Sequence, residues 1–209
     1  DHLATSTQSL GKEAKSMLEK SRADIAKFIN ASPQEIVITS GATEANNLAI
    51  KGIVNQHERP HVITTNVEHS SVKSTYELLE SVCDVTYLPV GVDGRIDVGD
   101  LEAALRDNTV LVSIILVNNE TGVIQPIYEI KELLKDKQTL LHVDAVQSFG
   151  HINVDVEELG ADLLSLSAHK IYGPKGVGIL YCRKGTKLSS LITGGSHEAG
   201  RRAGTENNM

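Results

Sequence analysis

Apolar residues along this chain recur with two alternating periods. Residues 9 to 30 place Leu10, Ala14, Met17, Leu18, Ile25 and Ile29 at helical spacing with charges between them, and Ser32-Pro33 ends the run. Ile36-Val37-Ile38-Thr39 is a short β-branched stretch, followed by a glycine turn and a second helical segment. The pattern then repeats. HVITT reads as a strand, SVKSTYELLESV as a helix, VTYLPV as a strand and DVGDLEAALRD as a helix capped by an aspartate. VLVSIILV is a fully apolar strand, IYEIKELLKD a helix and TLLHVDA a strand, and DLLSLS and VGILYC close the series. Strands that alternate with helices and are apolar on both faces predict an α/β fold of three layers, a mostly parallel sheet flanked by helices. One large domain is expected over 1–209, incomplete at both ends, because Thr205-Glu206-Asn207-Asn208-Met209 brings no closing helix.

Composition narrows the function classes. With 209 residues, 40% of them hydrophobic, the chain can bury a substantial core. A net charge of −7 and 3% aromatic residues argue against nucleic-acid binding, which needs a basic face and stacking rings. Arg201-Arg202 is too small a basic spot to reverse that, though it suits a local anion. No apolar run approaches the length of a membrane span and Asp1-His2-Leu3-Ala4 lacks signal-peptide features, so a cytoplasmic location is expected. Cys83 and Cys182 sit in unrelated contexts, beside or inside apolar strands, and are expected as buried free thiols. His2, His57 and His61 fall in polar or turn contexts and are expected at the surface. His142, inside an apolar strand, is expected as a hydrogen-bonded core residue, so the eight histidines do not make a metal site.

In a parallel α/β sheet, ligands sit beyond the C-terminal ends of the strands, and the unusual polar residues fall at those ends. Ser40-Gly41-Ala42-Thr43-Glu44 follows the strand IVIT and opens a helix. Gly41 permits a tight turn, and the amides of Ala42 and Thr43, with the Thr43 hydroxyl, suit a phosphate. A merely well-capped helix with Glu44 in its first turn would carry the same residues. Asp144 ends an apolar strand, where a carboxylate must be solvated, paired or functional. Lys170, in Ser165-Leu166-Ser167-Ala168-His169-Lys170 before the glycine-rich YGPKGVG, is another strand-end residue. It is a Schiff-base candidate, although taken alone a surface lysine is the plainer reading. Together, a phosphate cradle, an aspartate and a lysine form the minimal kit for pyridoxal phosphate.

The strings TSGATEANN, EHSSV, VNNETG, HVDAVQ, SLSAHKIYGPKGVG and GGSHEAGRRAGTEN, in this order, resemble the cysteine desulfurases of the NifS/IscS type, fold-type I enzymes related to the class V aminotransferases. The resemblance covers nearly the whole chain. One departure is Gln8, which stands where the family often has a histidine. The resemblance implies a pyridoxal 5'-phosphate enzyme that converts L-cysteine to L-alanine and passes the sulfur on as an enzyme persulfide. Iron–sulfur cluster or tRNA-thiolation proteins would receive that sulfur.

It further implies that Lys170 holds the cofactor and moves protons, and that Asp144 pairs with the pyridinium nitrogen. Gln147 would donate to the ring's phenolic oxygen, and His69 would stack on the ring and relay protons. Asn119 would contact the ring oxygen and the substrate carboxylate. Ala42, Thr43, Ser167 and His169 would hold the phosphate, with Ala168 between the last two in the same cofactor-binding turn. Thr205 would reach the phosphate of the other subunit of a homodimer. The family's sulfur-accepting cysteine and its small C-terminal domain match nothing in these 209 residues. The isolated chain is therefore expected to be inactive. A selenocysteine lyase or aminotransferase on the same fold is the alternative, as is a non-catalytic dimerisation or binding module.

Overall fold

The computed structural model describes residues 9–195 and 197–204, apart from the side chains of Ser9 and Leu10. The strands are β1 (Ile36–Thr39), β2 (His61–Thr65), β3 (Asp84–Leu88), β4 (Thr109–Ile115), β5 (Leu140–Asp144), β6 (Leu163–Ser167) and β7 (Gly178–Cys182). They form one sheet in the order β1-β7-β6-β5-β4-β2-β3. The helices are α1 (Ser9–Phe28), α2 (Ala42–Val54), α3 (Ser70–Leu79), α4 (Val98–Ala104), α5 (Ile127–Leu134) and α6 (Val156–Leu159). Every element expected from the periodicity is present. Asp97 caps α4 as its position predicted, accepting from Gly99 N at 2.7 Å.

The sheet is mostly parallel, as expected. The exception is β7, which runs antiparallel to both β1 and β6. The connection 168–177 holds only a short 3-10 turn, too little for a crossover helix, so the chain returns as a hairpin.

Alternation along the strands sorts side chains to two cores. Leu111, Leu163 and Leu180 pack with α2 and α3 on one face. Val112, Ile114, Val143 and Leu164 pack with α1, α4, α5 and α6 on the other. α3 follows β2 on one face and α5 follows β4 on the opposite face, so the chain changes direction between these two neighbours, which opens a crevice at their C-terminal ends.

The free edge of β1 is closed by an ion pair. Arg22 Nη1 donates to Ile36 O at 2.7 Å and to Glu198 Oε2 at 2.7 Å, while Glu198 Oε2 also accepts from Ile38 N at 3.0 Å. Backbone groups that would otherwise template another strand are thereby occupied.

Two expectations need correction. Met17, placed on the apolar stripe of α1, is 65% exposed. Along the same helix Ala14 and Leu18 are half-buried, while Ala26 and the following Ile29 reach the sheet. His61, expected at the surface beside a polar turn, is 0% exposed. It opens β2 between two neighbouring strands, and its ring nitrogens meet Thr109 Oγ1 at 2.7 Å and Thr86 Oγ1 at 2.9 Å. His57 is exposed and His142 is buried, as expected. His142 bonds Ser113 and Ser165, and burial pushes its pKa down to about 3. His2 lies outside the described residues.

One close approach joins fold to site. Gly178, at the start of β7, lies against the loop before α2, and a Cβ there would stand 2.5 Å from Gly41 Cα and 2.7 Å from Gly41 O. Only glycine lets the two backbones meet. Gly178→Ala should therefore lower stability by roughly 1–3 kcal/mol, the usual cost of forcing an extra methyl into a packed interior. Urea unfolding followed by circular dichroism checks this, and an unchanged midpoint would show that the approach is not tight.

Candidate active site

A cleft of about 420 Å³ opens at the C-terminal ends of the parallel strands, within the usual range for small-molecule sites. Ala42, Thr43, His69, Asn119, Asp144, Gln147, Ser167, His169 and Lys170 all line it. The sequence-predicted residues, drawn from separate strand ends, thus converge on one cavity. Ala168 does not line it; its amide donates to Val177 O at 3.1 Å and its carbonyl accepts from Gly173 N at 2.9 Å. Thr205 lies outside the described residues.

The N-terminus of α2 forms one wall. Its N-cap is Gly41, which has no side chain to satisfy the first-turn amides, so those donors face the cleft. Glu44 steadies the turn by accepting from Ser40 N at 2.7 Å and from Arg202 Nε at 2.7 Å. Burial opposes the charge on Glu44, but the hydrogen bonds from Arg202 and Ser40 outweigh it and hold its carboxyl below the usual range.

Asp144, 3% exposed, sits at the floor. Val146 N donates to its Oδ1 at 3.0 Å and Asn46 Nδ2 to its Oδ2 at 2.8 Å. Burial holds its carboxyl above the usual carboxylate range, and those two donors and the nearby His69 offset only part of that rise. Lys170 projects from the 3-10 turn Ala168–Ile171 after β6 and has no hydrogen-bond or ion-pair partner among the described residues. Ser167 Oγ and His169 Nδ1 lie 2.7 Å apart in that turn.

The opposite wall comes from the loops after β2 and β4. His69 caps α3. Asn118 holds the neighbouring turn, its Oδ1 accepting from Glu120 N at 3.0 Å and Thr121 N at 2.9 Å while its Nδ2 donates to Val67 O at 2.9 Å. Asn119 is thereby presented at the rim.

Four residues of this neighbourhood escaped the sequence reading: Asn46, Glu68, Ser71 and Asn118. Asn46 carried a usable signal. It occupies one stripe of α2 with Ala49, Ile50 and Ile53, and a polar residue on an apolar stripe needs a buried partner. Glu68 carried none. Its Oε1 accepts from Thr65 Oγ1 at 2.7 Å and Ile115 N at 3.0 Å, while its buried Oε2 has no partner among the described residues.

These residues fit the cofactor the sequence implies. Uncapped amides suit the phosphate, the buried carboxylate suits a ring nitrogen, and the unpartnered amine suits the aldehyde.

The same arrangement occurs in solved proteins. One determined as "SspA in complex with cysteine" superposes with a TM-score of 0.96 at 42% identity, covering 99% of this chain and 61% of that one. A "NifS-like protein" superposes with a TM-score of 0.94 at 42% identity, over 98% and 57% of the two chains. The fold they share with this chain is that of the fold-type I enzymes dependent on pyridoxal phosphate. The class-V aminotransferase family pattern matches residues 2–207, and the chain belongs to that family. It is also similar to a cysteine desulfurase IscS of Dictyoglomus turgidum, 50% identical over 206 residues. That match takes in 97% of this chain and 52% of the relative, so the chain spans about half the length of that relative.

Two consequences follow for titration and thiol chemistry. Burial, with the neighbouring Asp144, raises the Glu68 carboxyl from 4.5 to about 8, so it is neutral at physiological pH. The native state then holds a proton that the unfolded state releases, and stability falls as pH rises from about 4.5 to about 8. Glu68→Gln, which cannot ionise, should gain stability relative to the parent across that window, on the order of a few kcal/mol. Chemical unfolding at a series of pH values reads the difference, and a constant difference would show that Glu68 is already ionised. Cys83 and Cys182 are both buried and free, and burial pushes the Cys83 thiol up to about 11. Mild alkylation of the native protein should modify both slowly, fast labelling of either contradicting the burial.

Proposed function

We propose that the chain forms the cofactor-binding part of a cysteine desulfurase that takes L-cysteine to L-alanine and hands on the sulfur. The observation that carries this is the convergence of Lys170, Asp144 and the uncapped start of α2 on one cleft. The similarity to proteins named cysteine desulfurase, and to one solved with cysteine, supports the substrate.

When bound, pyridoxal phosphate supplies an electron sink for charge at the substrate α-carbon. In this reading, the α2 amides, Thr43, Ser167 and His169 bind the phosphate. Asp144 holds a proton at the ring nitrogen, and Gln147 donates to the ring's phenolic oxygen. Lys170 supplies the attaching amine and then moves the α-proton. His69 covers one ring face and exchanges protons with the substrate, while Asn119 orients the carboxylate.

Sulfur transfer needs an exposed thiolate on a movable segment, and Cys83 and Cys182 are both buried. The accepting cysteine therefore belongs to the longer protein, on a loop beyond Met209, and the sulfur passes to iron–sulfur or tRNA-thiolation acceptors. The working unit is a cytoplasmic homodimer in which Thr205 completes the partner's phosphate site. Among the described residues no helix is long and apolar enough to cross a membrane.

Borohydride reduction after addition of pyridoxal phosphate tests the assignment. The adduct should map to Lys170 by mass spectrometry, and Lys170→Ala should keep its circular dichroism while losing the adduct. In the longer protein the variant should lose about 100-fold or more in α-proton exchange of cysteine. An adduct on Lys175, or none, would overturn the reading.

A further inference from the structure

Asn46 and Ser71 have no role in the chemistry above, yet they link Asp144 to His69. Asn46 is 0% exposed, and its side-chain nitrogen serves two contacts, Asp144 Oδ2 at 2.8 Å and Ser71 Oγ at 2.9 Å. The direction of each hydrogen bond can be worked out from Asp144. A carboxylate accepts, so the Asn46 amide must turn its NH2 toward it; the flipped amide would set Oδ1 against the carboxylate. An NH2 only donates, so Ser71 Oγ accepts from Asn46 and has its own hydrogen left for His69 Nδ1, 2.8 Å away. The Ser71 backbone N–H, 3.2 Å from the same nitrogen, also only donates. The backbone contact requires a lone pair at Nδ1, and the Ser71 hydroxyl, already accepting from Asn46, then gives its hydrogen to the same nitrogen.

We propose that Asn46 and Ser71 are positioning residues that lock the tautomer of His69, so that Nδ1 is an acceptor and the ring proton sits on Nε2. His69 lines the cleft, and its Nε2 has no partner among the described residues. The group that His69 offers to a bound molecule is then an N–H donor. Asp144 thus acts on the site twice, directly at the floor and through Asn46 and Ser71 at the wall. What the oriented N–H meets rests on the proposed function; the tautomer itself belongs to the protein without cofactor.

The test uses the protein without added cofactor, with histidine labelled in both ring nitrogens. Long-range proton–nitrogen correlation spectra are recorded at a pH where the ring is neutral, and His69 is assigned by its disappearance in His69→Gln. The parent should show the Nε2–H form. A solvated neutral histidine side chain already leans toward the Nε2–H form, so the decisive quantity is the minor Nδ1–H population. It should rise roughly threefold or more in Ser71→Ala and in Asn46→Ala, the scale of losing one ordinary hydrogen bond. Ser71→Thr, which keeps a hydroxyl, should restore the parent pattern.

A purely structural role would lower the melting temperature without moving the tautomer. If Asn46→Ala does not fold, the Ser71 pair decides. An Nδ1–H form in the parent, or an unmoved population in Ser71→Ala, overturns the proposal. Borohydride trapping on the same samples separates the two claims. Loss of trapping with the tautomer behaving as stated removes the function alone, and the reverse removes only the positioning.

Discussion

A carboxylate taken almost out of water at the end of a central strand costs several kcal/mol unless donors are delivered to it. Among the described residues, Asp144 receives them from two places, the turn that follows its own strand and Asn46 on α2. The second donor is the demanding one, because α2 begins after β1, at the far edge of the sheet from β3. The helix must cross over β7 and β6 to bring Asn46 to β5, and Ala45, Leu48 and Ala49 are buried along that path. The same placement points the uncapped first turn of α2 into the cleft. Satisfying one buried charge and building an anion site are thus a single geometric act.

A second charged pair works at the sheet margin. Arg22 and Glu198 are buried together on the free side of β1, and Arg202 reaches from the same C-terminal segment to Glu44 in the first turn of α2. Removing one partner of such a pair leaves the other charge stranded, which is far costlier than never having had either. The segment 197–204 therefore braces both the edge strand and the anion loop beside it.

The three layers, the strand order of elements along the chain and the strand-end chemistry were legible because they depend on local periodicity and on residues unusual at their positions. Lys170, Asp144 and the Ser40–Glu44 turn stood out against apolar strands. The reversed direction of β7 did not, since an apolar strand reads the same in either sense and only pairing reveals its direction. Neither the burial of His61 nor the identity of the buried partner of Asn46 could be read, because the partners are remote in sequence: Thr109 for one and Asp144 for the other. Met17 failed for the opposite reason. Its spacing fits a stripe, but spacing does not say how far along the helix a neighbour extends.

Among the described residues, β1 is paired with β7 and with no other strand. The earliest strand of the sheet therefore waits for the latest one. While the chain emerges from the ribosome, β2 to β6 can assemble side by side, but Ile36–Thr39 has nowhere to dock until Gly178–Cys182 has been made. Until then the Ser40–Thr43 turn hangs from an unanchored strand, and a nascent chain stopped short of β7 would own most of the sheet, with Ser167 and His169 made but the α2 side of the anion cradle not yet anchored beside them.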